Sequence, residues 1–300
     1  MSIRDRFRGV MLGLAVGDCL GRPVEGWAWL PEDYIGEVLT GPRSMVYSDD
    51  TAMTLVLVRS LLECGGFSGS HMSLAFAEEY EAAPFRGYGR NVVEVFRRVR
   101  AGHPWDQAAA RQFGGQGSYG NGAAMRVSPV ALWAYPDVEA TAALAAETAR
   151  VTHTHHVGVE GAVIQAMATH HALGAADPDE LLANVASCAT TEEFRSRLEM
   201  LPELLRDRDD DRARIHLGNW VSAHKSVVTA LYCFLAGDDF TEVIVRALRM
   251  GGDVDTIAAM AGALAGARHG ANAIPPIWQD VEGADELSDL ADTLWNRSRT

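Results

Sequence analysis

Runs of alternating apolar and polar residues, the mark of a β-strand, are nearly absent from this 300-residue chain, so a sheet-based fold is not expected. Lysine is almost missing too. Lys225 stands alone beside many arginines, and with a net charge of -14 a basic face for nucleic acid is not expected. Cysteine is sparse: Cys19, Cys64, Cys188 and Cys233 are scattered through apolar segments without C-x-x-C spacing, which reads as buried reduced thiols and a cytoplasmic setting. No Pro/Ser/Gly linker or low-complexity tract interrupts a hydrophobic content of 48%, so one domain over 1–300 is expected. No uninterrupted apolar run reaches the roughly 18 residues of a membrane span. Arg4, Arg6 and Arg8 before Val10–Val16 imitate a signal peptide, but the run is short and leads into Gly17-Asp18 instead of a cleavage site. A soluble, unprocessed protein without membrane contact is expected.

What is present is helical periodicity. Apolar residues recur with the helix period over 3–17, 50–64, 70–83, 88–101, 104–112, 121–134, 138–150, 157–173, 178–188, 191–206, 221–236, 240–250, 254–269 and 285–296. Ser48, Asp177 and Thr190 or Thr191 are placed as N-caps, while Gly65-Gly66, Gly174 and Gly237 are placed as stops. Val157–Ala172, Val227–Ala236 and Ile257–Ala267 are apolar on more than one face, which suits central helices sheathed by others. Small residues at Ala258, Gly262 and Gly266, spaced by four, predict a closely packed helix face.

Two acidic clusters break this apolar pattern. Ser48-Asp49-Asp50-Thr51 and Gly252-Asp253-Val254-Asp255-Thr256 each open a strongly apolar helix. Either one alone reads as a good helix start. Together they offer four carboxylates and hydroxyl oxygens with no sulfur, a set suited to hard divalent cations. Four ionised carboxylates supply -4 and two dications +4, so such a set is balanced inside a low-dielectric interior.

The order of motifs resembles a known family over nearly the whole chain. Gly17-Asp18-Cys19-Leu20-Gly21 with Glu25, Ser48–Thr51, Gly117-Ser118-Tyr119-Gly120-Asn121-Gly122, Thr152-His153 and Gly251–Thr256 follow one another as in ADP-ribosylglycohydrolases. Leu217-Gly218-Asn219 and Ala230–Leu235 are similar to the serine-directed branch. The resemblance implies an all-α, compact orthogonal multi-helix domain of that type. It also implies a magnesium-dependent hydrolase that frees ADP-ribose from modified protein side chains, serine-linked favoured, or from small ADP-ribose derivatives. Ser48, Asp49, Asp50, Asp253, Asp255 and Thr256 would ligate two Mg2+ ions, with Mn2+ able to substitute; Ser48 stands where many members carry Thr. Gly117, Ser118, Tyr119, Gly120 and Asn121 would hold the diphosphate, His153 the distal ribose and phosphate, and Asn219, Trp220 and Val221 the adenine. Glu25, with Asp49, Asp50 and Asp255, would carry the catalysis, Glu25 as a mobile acidic group that handles protons or water. A monomer is expected.

The residues' own chemistry accords with this. Cleavage at an anomeric carbon builds positive charge on the sugar, so the site needs a leaving-group acid, an activated water and positioned ribose contacts. The glycine-rich stretch 114–122 leaves amides open to phosphate oxygens, with a helix expected to begin at about Asn121. Gly115–Gly120 also spells G-x-G-x-x-G. That motif needs a strand before it and a βαβ unit around it, and 105–113 reads as helix. His153, His155 and His156 fit no zinc spacing. A non-catalytic reader of ADP-ribose and a hydrolase of arginine-linked or O-acetyl-linked ADP-ribose are the alternatives. Acceptor recognition is expected in the loops 22–47 and 81–90.

Overall fold

The computed structural model describes residues 1–41 and 44–299; Pro42 and Arg43 of the 22–47 segment lie outside the described residues. Along the chain run α1 (Ile3–Gly21), α2 (Glu32–Thr40), α3 (Asp49–Cys64), α4 (Gly69–Ala82), α5 (Arg90–Arg100), α6 (Trp105–Ala110), α7 (Ser128–Ala134) and α8 (Val138–Arg150). Then follow α9 (His156–Leu173), α10 (Pro178–Ser187), α11 (Glu192–Asp207), α12 (Asp210–Leu217), α13 (Ala223–Ala236), α14 (Phe240–Met250), α15 (Val254–His269) and α16 (Ala284–Arg297). The fold is all-α. Among the described residues the sole β pairing is an isolated bridge between Gly120 and Ser222.

Glycines decide how the two ends of the chain meet. Gly9, Gly13 and Gly17 face the small residues of α15. A Cβ on them would come within 2.2 Å of Gly266 O, 2.3 Å of Gly262 O and 2.0 Å of Ala258 O, respectively. Only missing side chains allow backbones this close. At the end of the seam Gly21 meets the backbone of Asp255. The contact therefore places Asp18 of α1 and Asp255 of α15 in the same buried neighbourhood. The helices α9, α13 and α15, apolar all round, form the middle of a core that extends from Phe7 to Leu294.

The periodic segments become helices, but α2 and α12 carry no such signal. The first is a short helix after Pro31 that buries just Ile35 and Val38. The second is mostly charged and begins where the Asp209 carboxylate accepts from Arg212 N; capping and packing hold it where its own pattern does not. The helix expected from about Asn121 begins at Ser128 instead. Asn121 N is bonded to Val221 O and Gly122 O is taken by the Arg126 guanidinium, which commits 121–126 to turns. The cysteines are free, with Cys19 and Cys233 buried as expected, whereas Cys64 is exposed at the end of α3 and Cys188 half-buried.

Candidate active site

The start of α3 is organised by a carboxylate from another helix. Asp18 is fully buried and accepts from Ser48 N at 2.9 Å, Thr51 N at 3.0 Å and Thr51 Oγ1 at 2.6 Å. Ser48 caps the helix by accepting from Asp50 N at 3.2 Å. Satisfying these free amides lets the chain enter the helix with Asp49 and Asp50 on its first turn. Asp50 Oδ2 accepts from Ser48 Oγ and, at 3.4 Å, from Thr256 Oγ1 of α15. Asp50 Oδ1 is buried with no hydrogen-bond partner.

The start of α15 is organised by backbone. Asp253 N donates to Asn219 O at 2.8 Å, and the Asn219 side chain donates to Met250 O at 2.7 Å. Gly252, at φ +69°, lies where a Cβ would be 2.2 Å from Asn219 O. Gly26 N donates to Gly252 O at 2.8 Å and Gly252 N to Trp27 O at 2.7 Å. This pair of bonds ties the Glu25 loop to the α15 turn. Glu25, expected to be a mobile acidic group, is placed in this structure at the cluster, where carboxylate oxygens of Glu25, Asp253 and Asp255 lie within 4.8 Å of one another.

These groups form one end of a cavity of about 400 Å3. Glu25, Asp49, Asp50, Asp253, Asp255 and Thr256 line that end; Ser48 lies just behind, buried at the α3 cap. The rest of the lining comes from the 112–126 segment with His153 and from 87–92. Ser118, Tyr119, Gly120 and Asn121 line the cavity, and the amides of Ser118 and Tyr119 make no hydrogen bond among the described residues. Asn121 joins the two ends, since its Nδ2 donates to Asp253 Oδ2 and to Ser226 Oγ. Gly117 stands behind the wall, at φ +77° against Thr154 and His155. Val221 reaches the cavity, but Asn219 and Trp220 do not line it: Asn219 is spent on Met250, and Trp220 is half exposed outside.

The acidic end is electrostatically strained without a counter-charge. Burial, then the neighbouring Asp18, pushes Asp49 up to about 8. Burial likewise holds Asp50 and Asp255 well above the usual carboxylate range, with Asp18 and Asp253 respectively adding to it. Asp253 rises to about 6 through burial, against the pull of its Asn121 hydrogen bond. Glu25 is raised by burial and by Asp18. Carboxylates packed this way call for a cation. The unpartnered Asp50 Oδ1 and the all-oxygen donor set fit a hard divalent ion.

Sequence reasoning missed several participants. Asp18 lies in the Gly17–Gly21 motif with no role expected for it; its signal is a charge near the end of an apolar, glycine-striped helix. Arg126, buried, carries no local signal because its partners are distant in sequence. Phe113 and Tyr119 present half-exposed rings, 6.0 Å apart and tilted by 31°. Phe113 is held at φ 49°, an uncommon conformation for a bulky side chain.

Fold and cleft together are those of an all-α hydrolase. The chain belongs to the ADP-ribosylglycohydrolase family, whose profile matches residues 1–300. It is 37% identical to ADP-ribosylhydrolase ARH3 of Danio rerio over 97% of this chain and 90% of that one. Against ADP-ribosylhydrolase ARH3 of Homo sapiens it is 35% identical over 97% of this chain and 93% of the relative. ADP-ribosylarginine hydrolase Tri1 of Pseudomonas putida (strain GB-1) is 28% identical, over 98% of this chain and 79% of its own. A solved structure described as an ADP-ribosylglycohydrolase-related protein complex superposes with a TM-score of 0.79 at 28% identity, covering 99% of both chains.

Proposed function

We propose that the protein cleaves the glycosidic bond between ADP-ribose and a protein side chain, releasing ADP-ribose, with a serine-linked acceptor favoured. The observation that carries this reading is the division of one cleft into a carboxylate end and a wall with open amides. An ADP-ribosyl group has matching halves, a reactive ribose and a diphosphate. Ser118 and Tyr119 amides would receive diphosphate oxygens, with Gly117 shaping the loop and Gly120 and Asn121 continuing it. The Phe113 and Tyr119 rings and Val221 offer apolar faces to the adenine. The serine preference rests on similarity of 217–219 and 230–235 to the serine-directed branch.

Ser48, Asp49, Asp50, Asp253, Asp255 and Thr256 would hold two Mg2+ ions, or Mn2+ in their place. Bound there, such ions orient ribose hydroxyls and lower the pKa of a water. The chain's own part is proton handling and position. Glu25 keeps its proton to a higher pH than an ordinary glutamate, which suits it to protonate the leaving oxygen and then take a proton from the attacking water. Asp49, Asp50 and Asp255 set the place where the anomeric carbon must lie. We read 1–300 as one domain acting as a cytoplasmic monomer, on ADP-ribosylated proteins or small ADP-ribose derivatives. No helix among the described residues is long and apolar enough to cross a membrane.

The test is a panel of serine-linked, arginine-linked and O-acetyl-linked ADP-ribose with poly(ADP-ribose), each with Mg2+ and with EDTA. Fastest release from serine, lost in EDTA, is expected. Tight ADP-ribose binding without turnover of any member would make the protein a reader.

A further inference from the structure

His153 presents its ring to the cavity with only one nitrogen tied to protein. Its Nδ1 lies 2.8 Å from Thr152 Oγ1. Its Nε2 edge faces the 118–122 loop: a Cβ on Gly122 would be 3.3 Å from Nε2, and one on Gly120 3.5 Å from it. Nε2 has no hydrogen-bond partner among the described residues. Which nitrogen carries the proton decides whether the cavity sees a donor or a lone pair.

Arg126 settles that choice from behind. It is buried to 1% exposure, and its Nη2 donates to Thr152 Oγ1 at 2.8 Å. Its other hydrogen bonds go to the carbonyls of Gly122 and Thr148, and its guanidinium lies over the Phe76 ring. A guanidinium can only donate, so the Thr152 oxygen accepts from Arg126 and keeps its single proton for another partner. That partner is His153 Nδ1. Were Nδ1 protonated, the Thr152 proton would be buried with no acceptor, since the hydroxyl, which is fully buried, contacts Arg126 and His153 alone. Buried hydroxyls left unpaired are disfavoured.

We propose that Arg126, acting through Thr152, is a positioning residue that fixes His153 as the tautomer protonated at Nε2 and so presents an N–H donor to an anionic oxygen of the ligand. Burial and the Arg126 charge push His153 down to about 3, so the ring donates as a neutral imidazole. Arg126 itself, lowered by burial to about 9, remains a cation at neutral pH. The identity of the ligand rests on the function proposed above; the relay from Arg126 to His153 does not.

Long-range 1H–15N NMR of the imidazoles in the ligand-free protein reads the tautomer directly. Wild type should show His153 protonated at Nε2, with Nδ1 accepting a hydrogen bond. A proton on Nδ1, or a free Nδ1, would overturn the proposal. Thr152→Val removes the hydroxyl at constant shape and should erase the Nδ1 hydrogen-bond signature. By calorimetry it should also weaken ADP-ribose binding by roughly tenfold, the size of one hydrogen bond, and Thr152→Ser should restore both. Wild-type affinity in Thr152→Val would remove the role. If that variant failed to fold, the wild-type spectrum and wild-type behaviour of Thr152→Ser would still decide. Absence of ADP-ribose binding by wild type would remove the ligand assignment and the proposed function together, leaving the tautomer to the spectrum.

Discussion

The two acidic helix starts carry the same oxygen chemistry on differently built supports. At α3 the amides are gathered by one buried side chain, Asp18, and by the Ser48 cap. At α15 there is no side-chain cap; Gly252 in a left-handed conformation presses against Asn219 O and bonds to the Glu25 loop. The first support is electrostatic and tunable by one atom. The second is steric, so it fails all at once when a side chain is added. Because the Glu25 loop hangs on the second, the proposed proton-handling group and one half of the carboxylate cluster share a single anchor.

The comparison breaks most sharply if only one half matters for turnover. Asp50→Ala and Asp255→Ala should each lower turnover on the order of 10^4-fold or more, because positioning and charge are lost together, while circular dichroism remains helical. Near wild-type rates in either variant at saturating Mg2+ would show that the halves do not act as one. Glu25→Gln should slow the single-turnover rate by about 100- to 10,000-fold with little change in ADP-ribose affinity. A wild-type rate would transfer the proton to a cluster aspartate.

Stability measurements sharpen the contrast between supports. Gly252→Ala forces a Cβ to within 2.2 Å of Asn219 O at φ +69° and should destabilise the fold by about 2–4 kcal/mol, seen as a lower urea midpoint. Asp18→Asn keeps the shape and weakens the bonds to Ser48 and Thr51; the expected loss is about 1–3 kcal/mol. Equal effects of the two would mean that the α15 turn has slack.

The same cluster can also be read through pH. Asp49 at about 8 and Asp253 at about 6 bind protons more readily folded than unfolded. In the metal-free protein their protonated forms favour the folded state, so stability falls as pH rises from the unfolded carboxylate range through about 6 and about 8. Divalent ions need the ionised form, hence the Mg2+-induced rise in Tm should be larger at pH 8 than at pH 5.5. An increment independent of pH would place the ion elsewhere.

Much of the fold is legible because helix formation here follows local pattern. The segment 138–150 becomes α8, and 254–269 becomes α15 with its Gly262 and Gly266 face packed as the spacing predicts. The helices that escaped, α2 and α12, are short or charged and owe their order to caps and neighbours. In the site, the acidic clusters stand out since a carboxylate before an apolar run is anomalous wherever it folds. Asn219 and Trp220 show the limit: adjacency to Val221 in sequence does not place a side chain in a cavity, and the Asn219 amide is consumed by Met250 O.

The sequence by itself determined the all-α class, the small-residue seam of α15 and the residue types of the acidic cluster. These are consequences of period and composition. Only the tertiary structure decided that Asp18 would hold the start of α3, that the loop carrying Glu25 would be bonded through Gly26 and Trp27 to the turn before α15, and that Arg126 would set the proton on His153. Each of these depends on contacts between chain segments far apart. Close backbone approach at Gly9, Gly13 and Gly17 brings α1 against α15 and Asp18 beside Asp255, a distance no local pattern encodes.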